Sequence, residues 1–173
     1  MGQPTEAQRV RGYILTQANK LTIPELVSKV RTDTAPLREA AASVPEDRFF
    51  DRPASEDWSA AEVFTHILDM NDRGADAIQD ILDSARPLAA VADCDDRRNP
   101  GGLKHAEDFW QAYLAKREPL LERVLLARGM NTLRSKSGPR FGDLTWREWL
   151  LFMRVHDLDH MRQLQTNAAH FGG

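Results

Sequence analysis

Two histidines four residues apart, His156 and His160, are the pair in this chain best spaced for chemistry. They lie in the stretch Trp149-Leu-Leu-Phe-Met-Arg-Val-His156-Asp-Leu-Asp-His160-Met-Arg-Gln163-Leu164. On a helix, positions i and i+4 stand one above the other on the same face. Trp149, Phe152, Met153 and Leu164 share that face, so both imidazoles are expected to look into the core. A neutral imidazole carries one donor and one acceptor, and burying either without a partner is costly. A metal ion removes the conflict, because imidazole ligates zinc, nickel, copper and iron. His66 is the candidate third ligand, two turns beyond Ser59 and on the face that holds Val63, Ile67 and Met70. Two readings follow from the residues alone: one metal site made by His66, His156 and His160, or three separate core histidines, each with its own hydrogen bond.

The groups around these three are weighed the same way. Gln163, one turn beyond His160, could orient a ligand or serve a contact between helices. Asp69, one turn beyond His66, fits a supporting place behind a ligand better than a ligand's own. Asp157 and Asp159 point off the histidine face and are expected in solvent. His105 is expected in a solvated or helix-terminal position beside Lys104 and Glu107, and His170 in a frayed tail, NAAHFGG. Cys94 sits in an acidic loop, as a bystander or, alternatively, a thiol nucleophile. The basic run from Arg134 to Arg140 reads as a solvated loop or as an attractor for an anionic substrate. A di-iron carboxylate bundle would need two Glu-x-x-His motifs, and a zincin-type protease a His-Glu-x-x-His; neither pattern occurs.

The elements that must position these residues are helical. Val10, Tyr13, Ile14 and Ala18 predict a short leading helix over about residues 5 to 19. Thr22-Ile-Pro-Glu25 is a capping box that opens a stripe of Leu26, Val30, Leu37, Ala41 and Val44. That stripe is read as one helix over 23 to 43, kinked at Pro36. Ser59-Ala-Ala-Glu62 opens a second long helix, with Val63, Phe64, Ile67, Met70, Ile78 and Leu82 inward and Gly74 as a weak point in its middle. A third runs over about 104 to 128, interrupted at Pro119 and stopped at Gly129. Thr145-Trp-Arg-Glu148 opens the last, which runs to about 168. The loops at 45 to 58, 85 to 103 and 130 to 144 carry no strand-like alternation, so no strands are expected. Four long amphipathic helices plus the short leading one imply an all-α, four-helix-bundle domain spanning 1–173, its core over about 22 to 168.

Composition agrees with a globular chain. Of 173 residues, 42% are hydrophobic and 28% charged, which excludes disorder over most of the length. Lys and Arg total 23 against 26 Asp and Glu, a net charge of -3. Nucleic acid is therefore not an expected partner, since its binders are basic. No apolar run is long enough to span a bilayer, and the opening MGQPTEAQRVRG lacks a leader's apolar core. With Cys94 the single cysteine, no internal disulfide can form, and a cytoplasmic setting is expected.

Trp58-Ser59-Ala-Ala-Glu62-Val63-Phe-Thr-His66, together with the Phe141–Trp149 stretch and His156-x-x-x-His160-x-x-Gln163-Leu164, resembles the signatures of the DinB/YfiT-like superfamily of metalloenzymes. The resemblance spans about residues 25 to 168. It implies a four-helix bundle, often a homodimer, in which His66, His156 and His160 hold a divalent metal, zinc or nickel foremost. It also implies enzymes that act with low-molecular-weight thiols such as bacillithiol or mycothiol. The expected function is a thiol-dependent S-transferase or a hydrolase acting on a small electrophilic molecule. The alternative is a non-catalytic metal- or ligand-binding bundle with a stress-response role.

Overall fold

The computed structural model describes residues 3–83, 89–91, 99–128, 134–138 and 140–172. The described chain is predominantly helical: α1 (Glu6–Lys20), α2 (Ile23–Thr34), α3 (Leu37–Ala42), α4 (Ala60–Asp83), α5 (Ala106–Leu126) and α6 (Trp146–Phe171), with strands β1 (Ser135–Gly138) and β2 (Gly142–Thr145) before α6. The helix starts follow the capping chemistry. Thr22 and Glu25 bond reciprocally to each other's backbone amides, as do Ser59 with Glu62 and Thr145 with Glu148. Each box satisfies two amide donors that a helix start leaves open. Thr5 and Gln8 form a further box at α1.

The stripes read from the sequence are buried. Leu26, Val30, Leu37, Ala41, Phe64, Ile67, Ile78, Phe109, Leu120 and Leu121 are fully enclosed. α4 packs on α5 and α6, and α2 and α3 pack on the same two helices. Two apolar clusters result. One joins α1, α2 and the later part of α4 to Trp146, Trp149 and Met153; the other joins α3 and the start of α4 to Phe49, Phe109, Trp110 and Leu164.

Four expectations need correction. Residues 23–43 form two helices, because the chain breaks at Ala35-Pro36 and α3 restarts with Pro36 at its N-terminal edge. Pro has no amide to lose at a helix start, so division costs less there than a kink. Pro119, by contrast, sits inside a continuous α5. α5 bears a local penalty of about 3 kcal/mol there, with Leu120, Leu121 and Val124 fully buried just beyond it. His170 is not in a frayed tail; the last helix continues to Phe171.

The fourth correction is the hairpin. β1 and β2 pair antiparallel, Lys136 opposite Leu144 and Gly138 opposite Gly142, within the stretch read as a polar loop. Ser-Lys-Ser-Gly has no strand pattern of its own, so tertiary contacts make this strand. The Trp149 indole donates to the Lys136 carbonyl at 3.0 Å, and Val91 donates to the Ser137 carbonyl at 2.8 Å. A Cβ at Gly138 would lie 2.9 Å from the Trp149 ring, so only glycine allows that approach. Gly142 supplies the positive φ, +67°, that the return requires. The middle of the basic run, Ser135–Gly138, is accordingly a strand, with Lys136 paired to Asp80 at 2.5 Å.

Candidate metal centre

His66 comes from α4 and the other two histidines from α6, and the close α4–α6 packing brings the three together. A glycine makes that packing possible: a Cβ at Gly74 would lie 2.4 Å from the Met153 sulfur. The three imidazoles meet with ring centroids 4.9 Å apart for His66 and His156, 4.7 Å for His66 and His160, and 4.3 Å for His156 and His160. One ring nitrogen from each lies within 4.8 Å of the others, an arrangement that could hold a divalent metal. The His66 and His156 Nε2 atoms are 3.0 Å apart. Two nitrogens on a tetrahedral zinc with bonds of ~2.1 Å would stand ~3.4 Å apart, a little wider than this pair.

The charge state suits a ligand. Burial, and then the neighbouring His156, lower the His160 pKa to about 4, so that ring is neutral at pH 7 and its lone pair is free. The Nδ1–H of His160 can donate to Gln163 Oε1 at 2.6 Å, which would leave Nε2 facing the other two rings. His156 Nδ1 is buried without a hydrogen bond, and the nearest carboxylate oxygen, Asp157 Oδ1, is 3.8 Å away.

Residues 30–164 match the DinB superfamily. The chain belongs to the DinB superfamily. It is also similar to the uncharacterized protein YuaE of Bacillus subtilis (strain 168), 29% identical over 136 residues, covering 69% of this chain and 83% of that protein. The DinB match covers all three histidines and the Trp58-Ser59 pair. Ser59 caps α4, the helix that carries His66, by accepting from the Glu62 amide at 3.2 Å. Trp58 walls the cluster: its ring meets His66 edge-on at 5.1 Å and lies parallel to His160 at 6.4 Å. Asn167 fixes this wall by donating to the Trp58 carbonyl at 3.0 Å.

Other expected residues fall as follows. Asp69 is buried on α4, and its Oδ2 accepts from Arg73 at 2.7 Å. Asp159 is exposed and lies 3.5 Å from Arg162, as expected of a solvated group. Asp157 is not solvated. It is 1% exposed and accepts from the Tyr113 hydroxyl at 2.7 Å and Arg117 at 2.8 Å. α6 packs on several helices at once, so its side away from the histidines is buried too; the unbroken run Trp149-Leu-Leu-Phe-Met was the signal for it. His105 caps α5 and pairs with Glu46. Cys94 lies outside the described residues. Among the described residues, no helix is long and apolar enough to cross a membrane.

Proposed function

We propose that this DinB-superfamily protein is a metal-dependent enzyme. In this reading His66, His156 and His160 hold one divalent cation, zinc or nickel, and the reaction transfers a low-molecular-weight thiol to, or hydrolyses, a small electrophilic molecule. The observation that carries the metal is the convergence of three imidazole nitrogens from two helices within 4.8 Å, with the His160 ring held neutral. Three neutral ligands leave a divalent ion its full charge and a free position, which is the pattern of catalytic rather than structural zinc. Such a cation supplies Lewis acidity and favours the thiolate form of a bound thiol. The protein's own part is to orient the His160 ring through Gln163, to shield one side with Trp58, and to admit a reactant from the cleft beside His160. The thiol rests on the family resemblance.

The scaffold is read as a single four-helix-bundle domain whose rods are α2–α3, α4, α5 and α6, with α1 added; the packing of α4 and of α2–α3 on both α5 and α6 supports it. A cytoplasmic homodimer completes the proposal. The test is adduct formation by zinc- or nickel-loaded protein with a panel of thiols and monochlorobimane. The wild type is expected to accelerate the reaction and His156→Ala to lose the acceleration. Equal rates for the two proteins overturn the enzyme reading.

A further inference from the structure

Two complementary atoms stand unused where the histidine cluster meets the packing of α6 on α5. His156 Nδ1 and Asp157 Oδ1 are both buried, neither has a hydrogen-bond partner among the described residues, and they lie 3.8 Å apart. That is too long for a hydrogen bond, yet close enough for a charge to act on a ring dipole in a place closed to water. The other carboxylate oxygen is taken: Tyr113 donates to Oδ2 at 2.7 Å and Arg117 Nη2 at 2.8 Å. Those two donors hold Asp157 as a carboxylate and leave Oδ1 without a donor of its own. Arg117 Nη1 is buried without a bond as well, but as a donor it cannot receive an imidazole hydrogen.

A neutral imidazole has one hydrogen and two places for it, and the group beside one nitrogen decides what the other can do. A hydrogen on His156 Nε2 would set the Nδ1 lone pair against a carboxylate oxygen. A hydrogen on Nδ1 meets that oxygen with opposite sign and leaves the Nε2 lone pair facing His66 Nε2, 3.0 Å away. The contact between the two Nε2 atoms needs one hydrogen, which then belongs to His66. His160 differs in kind: the acceptor at its Nδ1 is the neutral Gln163 Oε1, at 2.6 Å.

We propose that Asp157 is a positioning residue whose carboxylate fixes His156 as the Nδ1–H tautomer, so that Nε2 offers its lone pair to a cation. The Arg117–Asp157 pair then does two things, joining α5 to α6 and setting one ligand. A carboxylate behind a ligating imidazole also makes that ligand more basic. The proposal rests on the reading of His66, His156 and His160 as a metal site.

The test reads the ring nitrogens directly, by long-range proton–nitrogen correlation on the nitrogen-labelled, metal-free full chain, at a pH above the ordinary imidazole range. His156 is expected to carry its hydrogen on Nδ1; a hydrogen on Nε2 overturns the proposal. Arg117→Met with Asp157→Leu removes the carboxylate without stranding a charge. This double variant is expected to move the His156 hydrogen to Nε2 and to bind zinc about tenfold to a hundredfold more weakly, measured by competition with a chelating dye. A purely structural role would leave both readings unchanged once stability is recovered, and that result overturns the proposal. Should the double variant fail to fold, Asp157→Asn, of the same size and without the charge, carries the same expectations. Gln163→Ala, which acts on His160, should leave the His156 hydrogen in place; if it moves, Asp157 does not set it. Zinc uptake by the wild type separates this inference from the reading beneath it. A chain that takes up zinc with the His156 hydrogen on Nε2 when metal-free overturns the role of Asp157 alone. A chain with that hydrogen on Nδ1 that takes up no zinc upholds the tautomer and overturns the metal reading.

Discussion

His156 and Asp157 are neighbours in sequence, turned about 100° apart on α6, and they face opposite kinds of surroundings. On the Asp157 side unlike groups pair directly, with only Asp157 Oδ1 and Arg117 Nη1 left without a bond. Tyr113 and Arg117 both donate to Asp157, Arg117 also donates to Asn71 at 2.8 Å, and Asn71 donates to the Tyr113 carbonyl at 3.1 Å. These bonds tie α4, α5 and α6 together with almost no solvent contact. On the His156 side the imidazoles meet mainly each other, and one buried ring nitrogen has no bond at all. Burial of the phenol itself raises the Tyr113 pKa well above its ordinary value, which keeps it a donor at every physiological pH. A carboxylate and a guanidinium paired by a direct hydrogen bond read as structure, even though Asp157 Oδ1 and Arg117 Nη1 are buried without a bond of their own. Three imidazoles of like chemistry gathered beside a cleft, with no charged partner among them, read as a place for a guest.

Breaking the closed side should have the largest effect. Arg117→Met leaves the Asp157 carboxylate buried without its cation, and urea unfolding is expected to show a loss of about 3–5 kcal/mol. Replacing both partners, Arg117→Met with Asp157→Leu, should recover most of that loss, since an apolar pair leaves no charge stranded. A single variant as stable as the wild type would mean that this network does not join the helices.

The open side should respond to ligand rather than to mutation. Zinc at a hundredfold excess over its dissociation constant is expected to raise the unfolding free energy by about 2.7 kcal/mol, and a chelator to reverse it. His156→Ala should abolish the gain while leaving the metal-free stability within about 1 kcal/mol of the wild type. If the variant gains as much from zinc, the contrast between the two faces fails. The smallest effect is expected at Gln163→Ala, which frees the His160 ring to turn. Zinc affinity, measured by competition with a chelating dye, should fall about tenfold with no change in the metal-free melting temperature.

Much of the helical framework was legible because it is written in local chemistry. The Thr22, Ser59 and Thr145 boxes need only two side chains three residues apart, and each forms where the sequence places it. The spacing of His156 and His160 put them on one face for the same reason. Pro36 and Pro119 show where local reading stops. The two residues carry one backbone constraint, and both are followed by fully buried apolar residues, yet one divides a helix and the other is absorbed in a continuous one. Gly74 looked like a weak point and is instead the gap that admits Met153. Asp157 looked solvated because a single helix shows nothing of how many neighbours will surround it.

The amino-acid sequence by itself determined the helices, their inward stripes and the three candidate ligands, since caps and periodicity act over a few residues. Tertiary structure alone decided that His66 meets the pair on α6, that a polar-looking segment becomes a hairpin beneath Trp149, and that an aspartate beside a candidate ligand is sealed against α5. Those outcomes depend on which surfaces touch, and surface contact is set by packing between segments far apart in the chain rather than by the order of residues within any one of them.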